Sequence, residues 1–111
     1  MAMRNEMAIF DLTAEIATNI YCGSNVDLDR ASGKASAIVR SAYEQADILA
    51  ARYPLAKSKR NDELESTLAK MCCAIVLSKR GSVTEAMNEA VSLVKGALTF
   101  AANFSEPAVS A

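Results

Sequence analysis

Gly23, Pro54 and Gly81 divide the 111 residues into four long stretches, and within each one apolar side chains return every three or four positions. That spacing gathers them on one side of an α-helix, whereas a half-buried strand needs strict alternation. Only four Gly and two Pro occur in the chain, too few for the closely spaced turns of an all-β fold. Hydrophobic residues make up 51% but aromatic ones only 5%, with no Trp, so the apolar stock is mostly Ala, Leu, Ile, Val and Met, a mixture that favours helix. The expected fold is all-α, a compact bundle of about four helices whose short connections make mostly antiparallel neighbours. A chain of this length builds one core and buries roughly 60–70% of the surface it exposes when unfolded. Residues 1–104 read as that single helical domain, and 105–111, with Pro107, as a flexible C-terminal tail.

The first helix is expected from about Met7 to Cys22, with Ile9, Leu12, Ile16 and Ile20 on its stripe and Phe10, Ala14, Ala17 and Tyr21 on the adjoining flank. Gly23 then supplies a left-handed stop. The second helix starts after Asn25 or Asp27 and runs to about Tyr53, where Pro54 pushes the preceding residue out of the α region. Its stripe of Leu28, Ala31, Ala35, Ile38, Ala42, Ala46, Leu49 and Tyr53 is rich in alanine, which lets a neighbouring helix come close. Residues 57–61 form a polar connector ending in Asn61, a competent cap. The third helix follows, with Leu64, Leu68, Met71, Cys72 and Ile75 as its main stripe. Asp62, Glu63 and Glu65 suit the positive end of its dipole and Lys79 and Arg80 the negative end, with Gly81 closing it. Ser82-Val83-Thr84-Glu85 has the form of a capping box and opens a fourth helix that reaches about Asn103.

Chemistry is scarce. Without histidine the chain lacks the usual acid/base group of neutral pH, the commonest metal ligand and every Ser–His or Cys–His pair. Cys22, Cys72 and Cys73 have no C-x-x-C spacing, and adjacent residues point about 100° apart on a helix, so the thiols read as small apolar side chains rather than metal ligands. An odd count of unpaired thiols suits a reducing compartment. Ser32-Gly33-Lys34-Ala35 superficially resembles a phosphate loop but lacks the upstream glycine, the Ser or Thr after the lysine and a preceding strand. No enzyme activity and no cofactor are expected. The first ten residues hold no apolar run long enough for a signal peptide, and no stretch approaches the roughly 20 residues that span a bilayer, so the expected location is the cytoplasm, away from membranes.

The formal charge of −1 gives no general attraction to nucleic acid. Two local basic features remain as possible contacts. Lys57, Lys59 and Arg60 sit in the connector beside Asp62 and Glu63, where three charges would grip phosphate weakly and in a salt-sensitive way. Lys79-Arg80-Gly81-Ser82, between two helices, has the outline of a helix-turn-helix. The residues that would enter the groove are Thr84, Glu85, Asn88 and Glu89, and the two glutamates would repel the backbone. A small DNA-binding regulator is therefore the alternative reading rather than the leading one.

The leading reading comes from surplus apolar surface. Ala69, Cys73, Val76 and Leu77 lie round from the main stripe of the third helix. The fourth has two rows, Met87, Val91, Val94 and Leu98, and Ala90, Leu93, Ala97, Phe100 and Phe104. Four helices around one core need only a third to a half of each circumference. Either the fourth helix is buried on nearly all sides, or the excess is a second contact surface. The second option makes the chain a non-enzymatic helical interaction module, an adaptor, inhibitor or regulator that binds another protein, itself, or both. A two-fold homodimer through Cys73, Val76, Leu77, Leu93, Phe100 and Phe104 is the expected self-association. In size, composition and lack of catalytic residues the chain resembles the small helical accessory proteins of phages and mobile elements. That is a likeness of general character, and it implies binding a host or regulatory protein to block or adapt it.

Overall fold

A computed structural model describes residues 5–58 and 62–104. Among these residues there is no strand, and five helices follow in order: α1 (Glu6–Gly23), α2 (Leu28–Arg52), α3 (Pro54–Ser58), α4 (Glu63–Lys79) and α5 (Val83–Phe104). Four are long and make the all-α bundle; α3 is a single extra turn within what the sequence suggests is plain connector.

Local chemistry explains most of the helix ends. Asn5 opens α1 by accepting the backbone N–H groups of Met7 and Ala8 at 3.0 and 3.2 Å. Asp27 does the same for α2, taking the Arg30 N–H at 2.8 Å. Ser82 caps α5 through the Glu85 N–H at 3.1 Å, and Glu85 returns a carboxylate oxygen to the Ser82 hydroxyl at 3.4 Å. Tyr53 ends α2 in extended conformation, as the residue before Pro54 must.

Two expected ends are corrected. No glycine among the described residues has positive φ, so neither Gly23 nor Gly81 is a left-handed stop. α1 keeps Gly23 inside the helix and closes on extended Ser24, whose N–H reaches the Ile20 carbonyl at 3.0 Å. The missing side chain of Gly23 serves packing instead: a Cβ there would lie 3.2 Å from Leu77 Cδ1 of α4. At the end of α4 it is Arg80, not Gly81, that turns left-handed at φ 55°, donating its N–H to Val76 at 2.7 Å. Asn61, the expected cap of α4, lies outside the described residues together with Lys59, Arg60 and the 105–111 tail. Asp62 occupies the cap position at φ 72° without capping, because its carboxylate accepts the Tyr43 hydroxyl of α2 at 2.5 Å.

The helices alternate in direction. Lys79 of α4 meets Glu89 of α5 at 3.0 Å near their turn, while Leu64 and Leu98 share a groove at the far end, so these two are antiparallel. α1 and α4 run parallel, with Glu15 3.6 Å from Lys70 and Gly23 beside Leu77. α2 packs against α1, α4 and α5, and α4 likewise touches α1, α2 and α5, whereas α1 and α5 share no comparable contact. The cross-section is thus a rhombus, with α2 and α4 on its short diagonal and α1 and α5 on opposite flanks. Its shortest Cα dimension is 18 Å, two helices deep.

The core follows from this placement. Ile16 and Ile20 of α1, Ile38 and Leu49 of α2, Leu68 and Cys72 of α4 and Met87 of α5 are all but fully buried. Ala31, Ala35, Ala42 and Ala46 run down the buried side of α2 and let its neighbours approach. Glu65, expected as a dipole partner in the first turn of this helix, is 1% exposed. It stands on one helical row with Ala69, Cys72 and Val76, and a helix touching three others must bury that row.

Candidate docking surface

α5 carries two apolar rows, and the bundle uses only one of them fully. Ala86, Met87, Ala90, Val94 and Leu98 are buried. The second row is covered at Ala90 and bare from Leu93 onward: Leu93 is 59%, Phe100 66% and Phe104 74% exposed, with exposed Ala97 between them. Residues 93, 97, 100 and 104 fall within a narrow stripe of the helix because steps of four, three and four residues nearly return to the same azimuth. The rings of Phe100 and Phe104, one turn apart, lie with centroids 5.4 Å apart and tilted by 38°. α5 has 22 residues and α4 has 17, so its last five residues correspond to roughly 7 Å of additional helix.

Beside this ridge runs a groove of about 700 Å³ between α4 and α5. Leu64, Thr67 and Met71 form one wall, Leu93, Val94, Ala97, Leu98 and Ala101 the other, and Leu55 of α3 and the acidic pair Asp62 and Glu63 stand at its end. Its volume and mainly apolar walls fall in the range of ligand and peptide clefts.

Of the interface residues expected from the sequence, the structure brings only part to this surface. Cys73 and Val76 are buried in the core, at 3% and 4% exposure, because α4 has a neighbour on three sides. Leu77 is half-buried against Gly23. Leu93, Phe100 and Phe104 remain outside, all three on α5. The idea that the fourth long helix is wrapped on nearly all sides does not hold; α2 and α4 take the central places. Sequence reasoning passed over Leu55 and did not connect Met71 and Leu98 with a groove, since a groove between two helices has no periodic signature in either. It also missed Met7, Phe10 and Ile48, exposed at 64%, 62% and 51%. By spacing Phe10 belongs to an apolar flank of α1, and a solvent-facing aromatic looks the same in sequence as a packed one.

Lys57 is exposed on α3, and Lys59 and Arg60 lie outside the described residues. Lys79 is held by Glu89, and Arg80 forms the helix end. The turn at residues 80–82 joins helices lying side by side, where a helix-turn-helix sets its pair at about 90–120°.

The thiols take different places. Cys22 is exposed, whereas Cys72 and Cys73 are buried and unpaired as disulfides. Burial, with Cys73 adjacent, pushes the Cys72 thiol up from an ordinary 9.0 to about 11, and burial followed by the nearby Glu15 raises Cys73. Neutral, enclosed thiols of this kind are poor nucleophiles. Among the described residues no three His, Cys, Asp or Glu side chains gather as a metal site, and no helix is long and apolar enough to cross a membrane. Comparison with protein-family models, with curated proteins and with solved structures finds no match to the chain.

Proposed function

We propose that this chain is a non-enzymatic interaction protein, an adaptor, inhibitor or regulator, that docks a partner on the outer row of α5 and the groove beside it. The observation that carries the reading is the alignment of Leu93, Phe100 and Phe104, each more than half exposed, on a helix whose Leu93 and Ala97 also line an apolar groove. Single exposed apolar side chains are ordinary on any protein, but a contiguous patch beside a groove is what interaction sites look like. Covering each of the two rings would contribute roughly 1–2 kcal/mol, the scale at which a few aromatic anchors dominate an interface. The absence of histidine and the enclosure of two of the three thiols support a binding role over catalysis.

The test is a double variant, Leu93→Glu with Phe100→Glu, on exposed positions whose replacement leaves the core untouched. Its circular dichroism should match the parent, while associations formed by the parent, captured from cells or seen as self-association, should be lost. If the variant retains every association, the α5 face is not the docking surface. Leu77→Glu is unsuitable for this purpose, because Leu77 packs on Gly23 and its loss would disturb the fold itself.

A further inference from the structure

We infer that a small cavity at the other end of the bundle from Phe100 and Phe104 is a binding site for a small organic phosphate. The cavity measures about 190 Å³ and lies where α1 ends, α2 begins and α4 ends. Ile20 of α1 and Val76 of α4, both in the core, and half-buried Leu77 give it an apolar floor. Gly23 borders the same space, and a Cβ there would lie 3.2 Å from Leu77 Cδ1, so the glycine leaves that floor uncrowded. At about 30 Å³ per water in the liquid there is room for roughly six waters, or for a phosphate head with a short apolar body.

The charge of the lining carries the argument. Lys34 of α2 and Arg80 at the end of α4 meet at this cavity, and none of the residues lining it is acidic. Among the described residues neither side chain has an ion-pair partner, whereas Lys79, next to Arg80, is bound to Glu89 at 3.0 Å. Two such cations match the charge of about −1.5 to −2 that a phosphate monoester carries near neutral pH. A guanidinium presents a flat fork to two phosphate oxygens, an ammonium adds a point charge, and the Asn25 side-chain amide at the same cavity can donate a further hydrogen bond.

The backbone at Arg80 points the same way. It is left-handed at φ 55°, one residue before Gly81, where a side chain would not have to bear that conformation. The dipole of α4 favours a cation at this end, but Lys79 already supplies one in the last turn. Arg80 thus takes a costly backbone for a side chain that the helix does not need, and strain of this kind gathers at ligand sites. Both cations are exposed, so screening holds the affinity to roughly millimolar for so small a ligand.

Amide chemical shifts of the intact ¹⁵N-labelled chain, titrated at fixed ionic strength with phenyl phosphate, inorganic phosphate and benzoate, test the inference. Phenyl phosphate should give saturable shifts centred on residues 20–26, 34 and 76–80. It should bind about fivefold or more tightly than inorganic phosphate, which cannot cover the apolar floor, and than benzoate, which carries one charge. Lys34→Gln should weaken phenyl phosphate by about threefold or more, and Arg80→Gly by about tenfold, the fork being lost. Because glycine suits the left-handed turn, Arg80→Gly should melt no earlier than the parent, which separates lost binding from lost fold. Absence of saturable shifts up to about 20 mM phenyl phosphate overturns the site. Binding that survives either substitution overturns it too, as do shifts centred elsewhere. Equal affinity for inorganic phosphate or for benzoate removes the floor or the double charge from the recognition and likewise ends the proposal.

Discussion

α2 and α5 are the two longest helices, and their apolar residues have opposite fates. On α2 the row of Ala31, Ala35, Ile38, Ala42, Ala46 and Leu49 is closed over by neighbours, and large exposed apolar side chains remain only near its ends, at Leu28 and Ile48. On α5 the row that starts with Ala90 inside the protein continues as Leu93, Phe100 and Phe104 outside it. The difference follows from position. α2 lies on the short diagonal of the rhombus and touches every other helix, while α5 lies on a flank and has an outward side that nothing among the described residues covers. Similar sequence periodicity therefore stands for core in one helix and for core plus a free surface in the other.

Substitutions can break this contrast or sharpen it. The largest effect belongs to Ile38→Ala on α2, which should cost about 2–5 kcal/mol by urea denaturation, because Ile38 is fully enclosed in the core and its loss leaves a cavity. Ala42→Leu should cost about 1–3 kcal/mol, since Ala42 is fully enclosed and the larger side chain must displace a neighbour. Its counterpart on α5, Ala97→Leu, should be close to neutral in the same measurement made on dilute protein, and an equal penalty at both sites would erase the contrast. Gly33→Ala and Gly96→Ala form a matched pair, one on each helix, both with open space where the Cβ would sit. Each should raise stability by about 0.5–1 kcal/mol through helix propensity alone. Phe100→Ala should likewise stay within about 0.5 kcal/mol for the monomer, because a ring two-thirds in solvent contributes little to folding. A loss of several kcal/mol there would show that the ring supports the fold.

The helices were legible because their signals are local. Asp27, Pro54 and the Ser82–Glu85 pair mark boundaries through bonds that span only a few residues. The left-handed turns were misplaced because glycine is permitted in that conformation without being required to adopt it. Arg80 takes it at the end of α4, and Asp62 takes it where Tyr43 draws its carboxylate towards α2, a contact 19 residues away that no local pattern announces. The docking residues were half legible for a related reason. Periodicity counts how many apolar sides a helix has, but not how many neighbours it meets. With each helix in a square touching two others, Cys73 and Val76 look surplus. In the rhombus α4 touches three, so those residues and Glu65 are enclosed and the true surplus shifts to α5.

A plate two helices thick has no middle layer, and every helix in it spends part of its length against water. Self-association along α5, one form the proposed docking could take, would make the endurance of such a body depend on crowding as well as on sequence. At a concentration a hundred times the dissociation constant, mass action adds roughly 2.7 kcal/mol to a site that only the folded form possesses. Dilution would take that increment away, so heat would unfold a dilute sample sooner than a concentrated one.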